Sequence, residues 1–242
     1  MKTDIFGVKF DNYTISESVD KAIDSLNNDA PFVIYTPNPE IVNTARSDSN
    51  YKSVLNTADI ITPDGIGIVS ASKILKGNIK ERAAGFDIVC GILQKLSDKN
   101  GSVYLFGGKP GVAEKAAEKV LETYPGIVVS GVHHGYFKND EEIVKDISDK
   151  KPDLLLVCLG APKQELWINK NKDVLNAGIL VGAGGSIDVL AGNVKRAPDI
   201  FIKLGLEWFY RLLKEPKRIG RMMKLPLFII SVIVKRGKDN ES

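Results

Sequence analysis

Six apolar runs of strand length punctuate the chain up to residue 195, and between them lie stretches whose apolar residues recur at helical spacing. The runs are PFVIYT (31–36), ADIIT (58–62), SVYLFG (102–107), IVVSGV (127–132), DLLLVCLG (153–160) and GILVGAGG (178–185). Helical patterns fall at 16–28, 40–47, 66–76, 85–97, 111–123, 140–150, 163–175 and 186–191. Such alternation predicts an α/β fold of Rossmann-like type, a mostly parallel sheet with helices on both faces. No internal repeat or low-complexity stretch interrupts it.

Most of these runs end in Gly/Pro/polar loops: TPNPE, TPDG, GGKPG, HHGYF, GAPKQE and GAGGSID. In an open α/β sheet the carboxyl ends of the strands are where ligands bind, so the active site is expected along this edge. GGKPG at 107–111 reads as a phosphate loop between strand and helix, although a tight turn explains the same glycines. Its spacing matches neither the dinucleotide fingerprint nor the P-loop. GAGGSID places Asp188 on the first turn of a short helix, where it either accepts bonds from ribose hydroxyls or simply favours the helix dipole. Asp64, between Pro63 and Gly65, is a candidate general base and equally a member of a common turn pair. Thr36, Asn38, Arg82 and Gln164 complete the polar set at the same edge.

Missing patterns narrow the chemistry. The sequence holds no Asp-x-Asp and no nucleophile elbow, and its only histidines, His133 and His134, are adjacent with no cysteine nearby, so no metal-ligand set is recognisable and no cofactor is expected. Cys90 and Cys158 each lie in an apolar pattern and are expected as buried thiols. The start, MKTDIFGVKF, lacks the pattern of a secretory signal, which predicts a cytoplasmic protein.

Beyond residue 195 the texture changes. Residues 196–242 carry 11 Lys+Arg against 5 Asp+Glu, a balance of +6, leaving 22 against 25, or −3, for residues 1–195. We therefore expect an α/β catalytic domain at 1–195 and a basic, amphipathic helical appendage at 196–242, broken by Pro198, Pro216 and Pro226. From Pro216 a helix would gather Lys217, Arg218, Arg221 and Lys224 opposite Ile219, Met222 and Met223. The ten-residue apolar run from Leu225 to Val234 is too short to span a bilayer but suits an interfacial helix on an anionic membrane. Packing on its own domain, or against a second copy, explains the run equally well.

Taken in order, the motifs TPNPE (36–40), ADIITPDGIGIV (58–69), ERAAGFD (81–87), LFGGKPGVA (105–113), GYF (135–137), LGAPKQELWI (159–168), GAGGSIDVLAGNVKRAP (182–198) and GLEWFYRLLKEPKRIGR (205–221) resemble the WecG/TagA/CpsF family of bacterial glycosyltransferases. The resemblance implies metal-independent, inverting transfer of N-acetylmannosamine from UDP-N-acetylmannosamine to the 4-hydroxyl of undecaprenyl-diphosphate-linked GlcNAc, in teichoic-acid linkage-unit synthesis. It implies Asp64 as base, Thr36 and Asn38 in the acceptor or sugar pocket, and Arg82 and Gln164 on the donor sugar or diphosphate. UDP would lie against Gly108, Gly184 and Gly185, with Tyr136 at the uracil and Asp188 at the ribose. Arg211, Arg218 and Arg221 would offset charge on the leaving UDP, bringing the appendage over the site at the inner face of the membrane.

Three other readings compete with this one. A family relative could use a different UDP-sugar, such as the N-acetylmannosamine uronic acid. A nucleotide-sugar or NAD-dependent oxidoreductase would also use Gly-rich strand ends, but the dinucleotide fingerprint is absent. A non-enzymatic nucleotide-binding protein docking on a membrane or a nucleic acid would use the basic tail, and LFIISVIV beside the charges favours membrane over nucleic acid.

Overall fold

In the computed structural model of the chain, residues 2–203, 205–214, 220 and 224–241 are described, the side chains at 199, 203, 211 and 238–241 excepted. All six expected strands form, and they make one sheet: β3 (Phe32–Tyr35), β4 (Ile60–Ile61), β5 (Ser102–Gly107), β6 (Val128–His133), β7 (Leu154–Cys158) and β8 (Ile179–Gly182). Their order is β4-β3-β8-β7-β5-β6, and every neighbouring pair is parallel.

Two strands were missed at the amino terminus. β1 (Thr3–Ile5) and β2 (Val8–Phe10) are only three residues each, too short for a periodic signal, and pair antiparallel through a turn in which Phe6 and Gly7 both have positive φ. This hairpin buries Ile5, Val8 and Phe10. Just after it, the Asp11 N–H donates to the Ile61 carbonyl at 2.9 Å and the Asp11 carboxylate accepts from the Ile61 N–H at 3.0 Å. These bonds occupy backbone groups of β4 that the edge of the sheet would otherwise leave open.

The helices follow the expected pattern with sharper ends: α1 (Ile15–Asp24), α2 (Pro39–Ser47), α3 (Ser49–Leu55), α4 (Ile66–Ile74), α5 (Gly85–Ser97), α6 (Val112–Thr123), α7 (Glu141–Lys150), α8 (Lys163–Asn171) and α9 (Ser186–Leu190). A capping box between Thr14 and Glu17 starts α1. Unforeseen from the sequence, α3 is a seven-residue helix capped by Asp48, which buries Tyr51, Val54 and Leu55.

Strand side chains alternate between two cores. Val33, Tyr35, Tyr104, Phe106, Leu155, Val157 and Leu180 point to the core covered by α2, α3, α4, α7 and α8. Ile34, Val103, Leu105, Leu156, Cys158 and Val181 point to the core covered by α1, α5, α6 and α9. The chain therefore leaves β3 and β7 toward one face and β8 and β5 toward the other. Along the order β3-β8-β7-β5 every neighbouring pair of strands parts in opposite directions, which opens crevices on both sides of β8 and β7 at their carboxyl ends.

The carboxyl-terminal segment continues as α10 (Asp199–Lys203), α11 (Glu207–Lys214) and α12 (Lys224–Glu241). Pro226 does not break α12; it lies in the first turn, where backbone N–H groups have no helical partner to lose. One side of α12 completes the core, with Phe228 and Val232 fully buried and the Phe228 ring edge-on to Phe6 at 5.9 Å. Lys224 reaches Glu40 at 3.3 Å and Lys235 reaches Asp4 at 3.7 Å. The other side carries Leu227, Ile230 and Ile233, each more than half exposed. No helix among the described residues is long and apolar enough to cross a membrane.

Candidate functional site

Two cavities adjoin at the carboxyl edge of the sheet. The first, about 640 Å³, is lined by Thr36, Asn38, Asp64, Arg82, Gln164 and Gly184, among others. The second, about 560 Å³, is lined by Gly108, Lys109, Tyr136, Phe137 and Lys163. Gly160, Gly185 and Asp188 belong to both and form the passage between them. Every site residue expected from residues 1–195 therefore lines one cavity or the other, in the division between reacting and nucleotide-holding groups drawn above, except that Gly184 falls with the reacting groups and Gly185 and Asp188 are shared.

Asp64 stands on a loop fixed by backbone bonds. Its N–H donates to the Pro37 carbonyl at 3.3 Å, and the Ala83 N–H donates to the Pro63 carbonyl at 3.1 Å. The following Gly65 adopts φ 92°, a conformation costly for any side-chain-bearing residue, and so lets α4 start at once. The carboxylate is 32% exposed, enough to meet a substrate. Arg82 lies behind it, its Nε 4.0 Å from Asp64 Oδ1, while its Nη2 donates to Glu207 Oε2 at 2.6 Å. The Nε itself is buried without a hydrogen-bond acceptor among the described residues.

Thr36 and Asn38 carry structural bonds as well as lining the cavity. Thr36 is buried, and its hydroxyl donates to the Gly182 carbonyl at 3.2 Å, tying the end of β3 to the end of β8. Asn38 caps α2: its Oδ1 accepts from the N–H groups of Glu40 and Ile41 at 2.9 and 3.1 Å. With both lone pairs of that oxygen engaged, what Asn38 has to offer a ligand is its Nδ2.

At the end of β5, Gly107 meets β7 so closely that an added Cβ would lie 2.3 Å from the Cys158 carbonyl oxygen, which explains glycine there without reference to a ligand. Tyr136 is 65% exposed on the loop after β6. Lys163 donates to the Gly135 carbonyl at 3.2 Å and sits over the Phe137 ring at 4.1 Å. Cys158 is buried, its thiol donating to the Ala183 carbonyl at 3.1 Å, and burial pushes its pKa up to about 12; Cys90 is only partly buried and is raised by the same cause. Neither histidine lines either of these two cavities. Among the described residues no group of three or more His, Cys, Asp or Glu side chains gathers as a metal-ligand set.

The carboxyl-terminal segment also enters the first cavity, through Gly205, Glu207, Trp208, Lys224 and Leu225. At Gly67 an added Cβ would lie 2.5 Å from Leu225 Cδ1, so α12 closes directly on α4 there. Arg196 pairs with Asp87 at 2.6 Å and lines the same cavity. Arg218 and Arg221, and the side chain of Arg211, lie outside the described residues. Sequence reasoning missed Lys109 and Lys163, although both stood in loops it had marked, and missed Glu207, whose partner Arg82 is 125 residues away.

The sequence model of the Glycosyl transferase WecG/TagA/CpsF family matches residues 3–242. A Bacillus spizizenii N-acetylglucosaminyldiphosphoundecaprenol N-acetyl-beta-D-mannosaminyltransferase is 40% identical over 200 residues, covering 83% of this chain and 78% of its own. An enzyme of the same name from Staphylococcus aureus is 39% identical over 243 residues, covering 98% and 94%. The Bacillus subtilis counterpart is 38% identical over 210 residues, covering 87% and 82%.

Proposed function

Because the chain belongs to the WecG/TagA/CpsF family of glycosyltransferases, we propose that it moves an N-acetyl-β-D-mannosaminyl group from a UDP-linked donor to N-acetylglucosaminyldiphosphoundecaprenol. The observation that carries this reading is the pair of adjoining cavities, one holding an acidic side chain on a rigid loop and the other an exposed aromatic ring with two lysines. Their shared wall at Gly160, Gly185 and Asp188 is where a sugar diphosphate would thread from nucleotide to reacting carbon.

Asp64 takes the proton from the acceptor 4-hydroxyl as that oxygen attacks the anomeric carbon. The bond from that carbon to the UDP oxygen breaks, its electron pair leaves with UDP, and the configuration inverts in one in-line step. Lys109 and Lys163 line the side on which negative charge grows, and cations placed there stabilise the leaving diphosphate. Arg211, Arg218 and Arg221 belong to this reading as further cations that the segment brings to the site. Thr36 and Asn38 shape the sugar and acceptor pocket, and Gln164 and Arg82 hold the donor.

A uronic acid donor would need a cation for its extra carboxylate. Among the described residues Arg82, Arg196 and Lys224 line the first cavity, and each already faces a carboxylate, on Glu207, Asp87 and Glu40. A neutral N-acetylhexosamine, the group named for the relatives, needs no such cation. The outward row of Leu227, Ile230 and Ile233 on α12, beside Lys224 and Arg236, would rest on the inner face of an anionic membrane, bringing the cleft to its lipid-linked acceptor.

A UDP-release assay with a panel of UDP-sugars and a short-chain lipid-diphosphate-GlcNAc acceptor tests the assignment. UDP-N-acetylmannosamine should support turnover and the uronic acid should not; the reverse preference would overturn the donor assignment. A change in nicotinamide absorbance in place of UDP release would make the protein an oxidoreductase. Tyr136→Ala should weaken UDP binding about tenfold, as expected for loss of one base–aromatic stack, measured by titration calorimetry.

A further inference from the structure

Glu165 is 1% exposed, and among the described residues no lysine, arginine or histidine forms an ion pair with it. A buried carboxylate without a cation is costly to keep, and burial moves its pKa above the ordinary glutamate value. Two donors hold it. The Tyr51 hydroxyl donates to Oε2 at 2.9 Å, and Gln164 Nε2 donates to Oε1 at 2.8 Å. The Tyr35 hydroxyl adds a third bond at 3.1 Å, to the main-chain carbonyl of Glu165.

The second of these contacts reaches the cleft. Gln164 is itself buried, and its Oε1 accepts from the Gly160 N–H at 3.1 Å. An added Cβ on Gly184 would lie 2.9 Å from the same Oε1, closer than real Cβ contacts come. While ionised, the carboxylate only accepts hydrogen bonds, and together with the Gly160 N–H it selects one orientation of the Gln164 amide: nitrogen toward Glu165, oxygen toward Gly160. The flipped amide would set two oxygens against each other and two N–H groups against each other. Gly160 lines both cavities, and Gln164 and Gly184 line the first.

We propose that Glu165 is a positioning residue for transfer: by locking the Gln164 amide it fixes the backbone of Gly160 and the place of Gly184 at the passage between the two cavities. It touches no substrate, and its effect travels through Gln164. The proposal rests on the donor-binding reading of the first cavity. It also accounts for why a carboxylate, and not an apolar side chain, stands between Tyr51 and Gln164 in the core.

Glu165→Gln keeps the shape but offers an amide that can donate, so the oxygen–oxygen clash of the flipped Gln164 amide disappears and only the Gly160 N–H still selects its orientation. We expect kcat/KM for the UDP-sugar to fall about tenfold with KM for the lipid acceptor unchanged, as for a misplaced binding group. In a Gln164→Ala background the same substitution should change nothing further, because the group it positions is gone. An equal loss in both backgrounds would overturn the proposal. A second measurement needs no variant: in the wild-type protein the Gln164 side-chain NH₂ should give a distinct nitrogen–proton NMR pair protected from exchange with water. A freely exchanging pair would overturn the proposal even if UDP-sugars proved not to be the donors. Absence of UDP release from the wild-type protein would instead count against the donor reading alone.

Discussion

Asp64→Asn is expected to lower the rate of UDP release in the presence of acceptor by about 10²- to 10⁴-fold, the range associated with loss of a positioned general base. The carboxamide has nearly the same shape, and the loop that presents it is held by main-chain bonds from Asp64 to Pro37 and from Ala83 to Pro63, which the substitution leaves in place. The second cavity is not lined by Asp64, so UDP should bind as tightly as before. Titration calorimetry for UDP and a turnover assay separate the two effects. Unchanged turnover in a folded, UDP-binding variant would remove Asp64 from the mechanism.

Why Asp64 stood out in the sequence while Glu165 did not is a matter of what leaves a local trace. Five of the six strands announce themselves because a strand buried on both faces reads as an apolar run, β6 at the sheet edge being only partly buried, and the loops at the strand ends are marked by Gly, Pro and polar residues. Asp64, Gln164 and Asp188 sit in such loops or just beyond them. Strand order leaves no such trace: β3 and β8 lie side by side although Tyr35 and Ile179 are 144 positions apart in sequence.

Glu165 reads locally as one more charged residue in the first turn of a helix, and only Tyr51, arriving from 114 positions away, shows it to be buried. Arg196 and Asp87 are likewise 109 residues apart. The run Leu225 to Val234 hid something different: apolar all round, it gave no period by which to separate the side that packs from the side that does not. Phe228 and Val232 belong to the core, whereas Leu227, Ile230 and Ile233 do not.

That division predicts opposite outcomes from neighbouring substitutions on one helix. Phe228→Ala removes a fully buried ring that packs on Phe6 and should lower unfolding stability by about 3–5 kcal/mol, read from urea denaturation. Ile230→Ser with Ile233→Ser alters only exposed positions and should leave stability within about 0.5 kcal/mol per site. The same pair should nevertheless release the protein from vesicles containing an anionic phospholipid, because each isoleucine side chain contributes up to about 1.5–3 kcal/mol when its surface leaves water. Co-sedimentation with vesicles reads the difference. Deleting residues 196–242 would remove Phe228 and Val232 along with the outward row, so substitution by face is the sharper experiment. If the serine pair kept full vesicle binding, the outward row would not be the docking surface. If it instead lowered the mass measured by sedimentation in the absence of lipid, α12 would be facing a second copy of the chain.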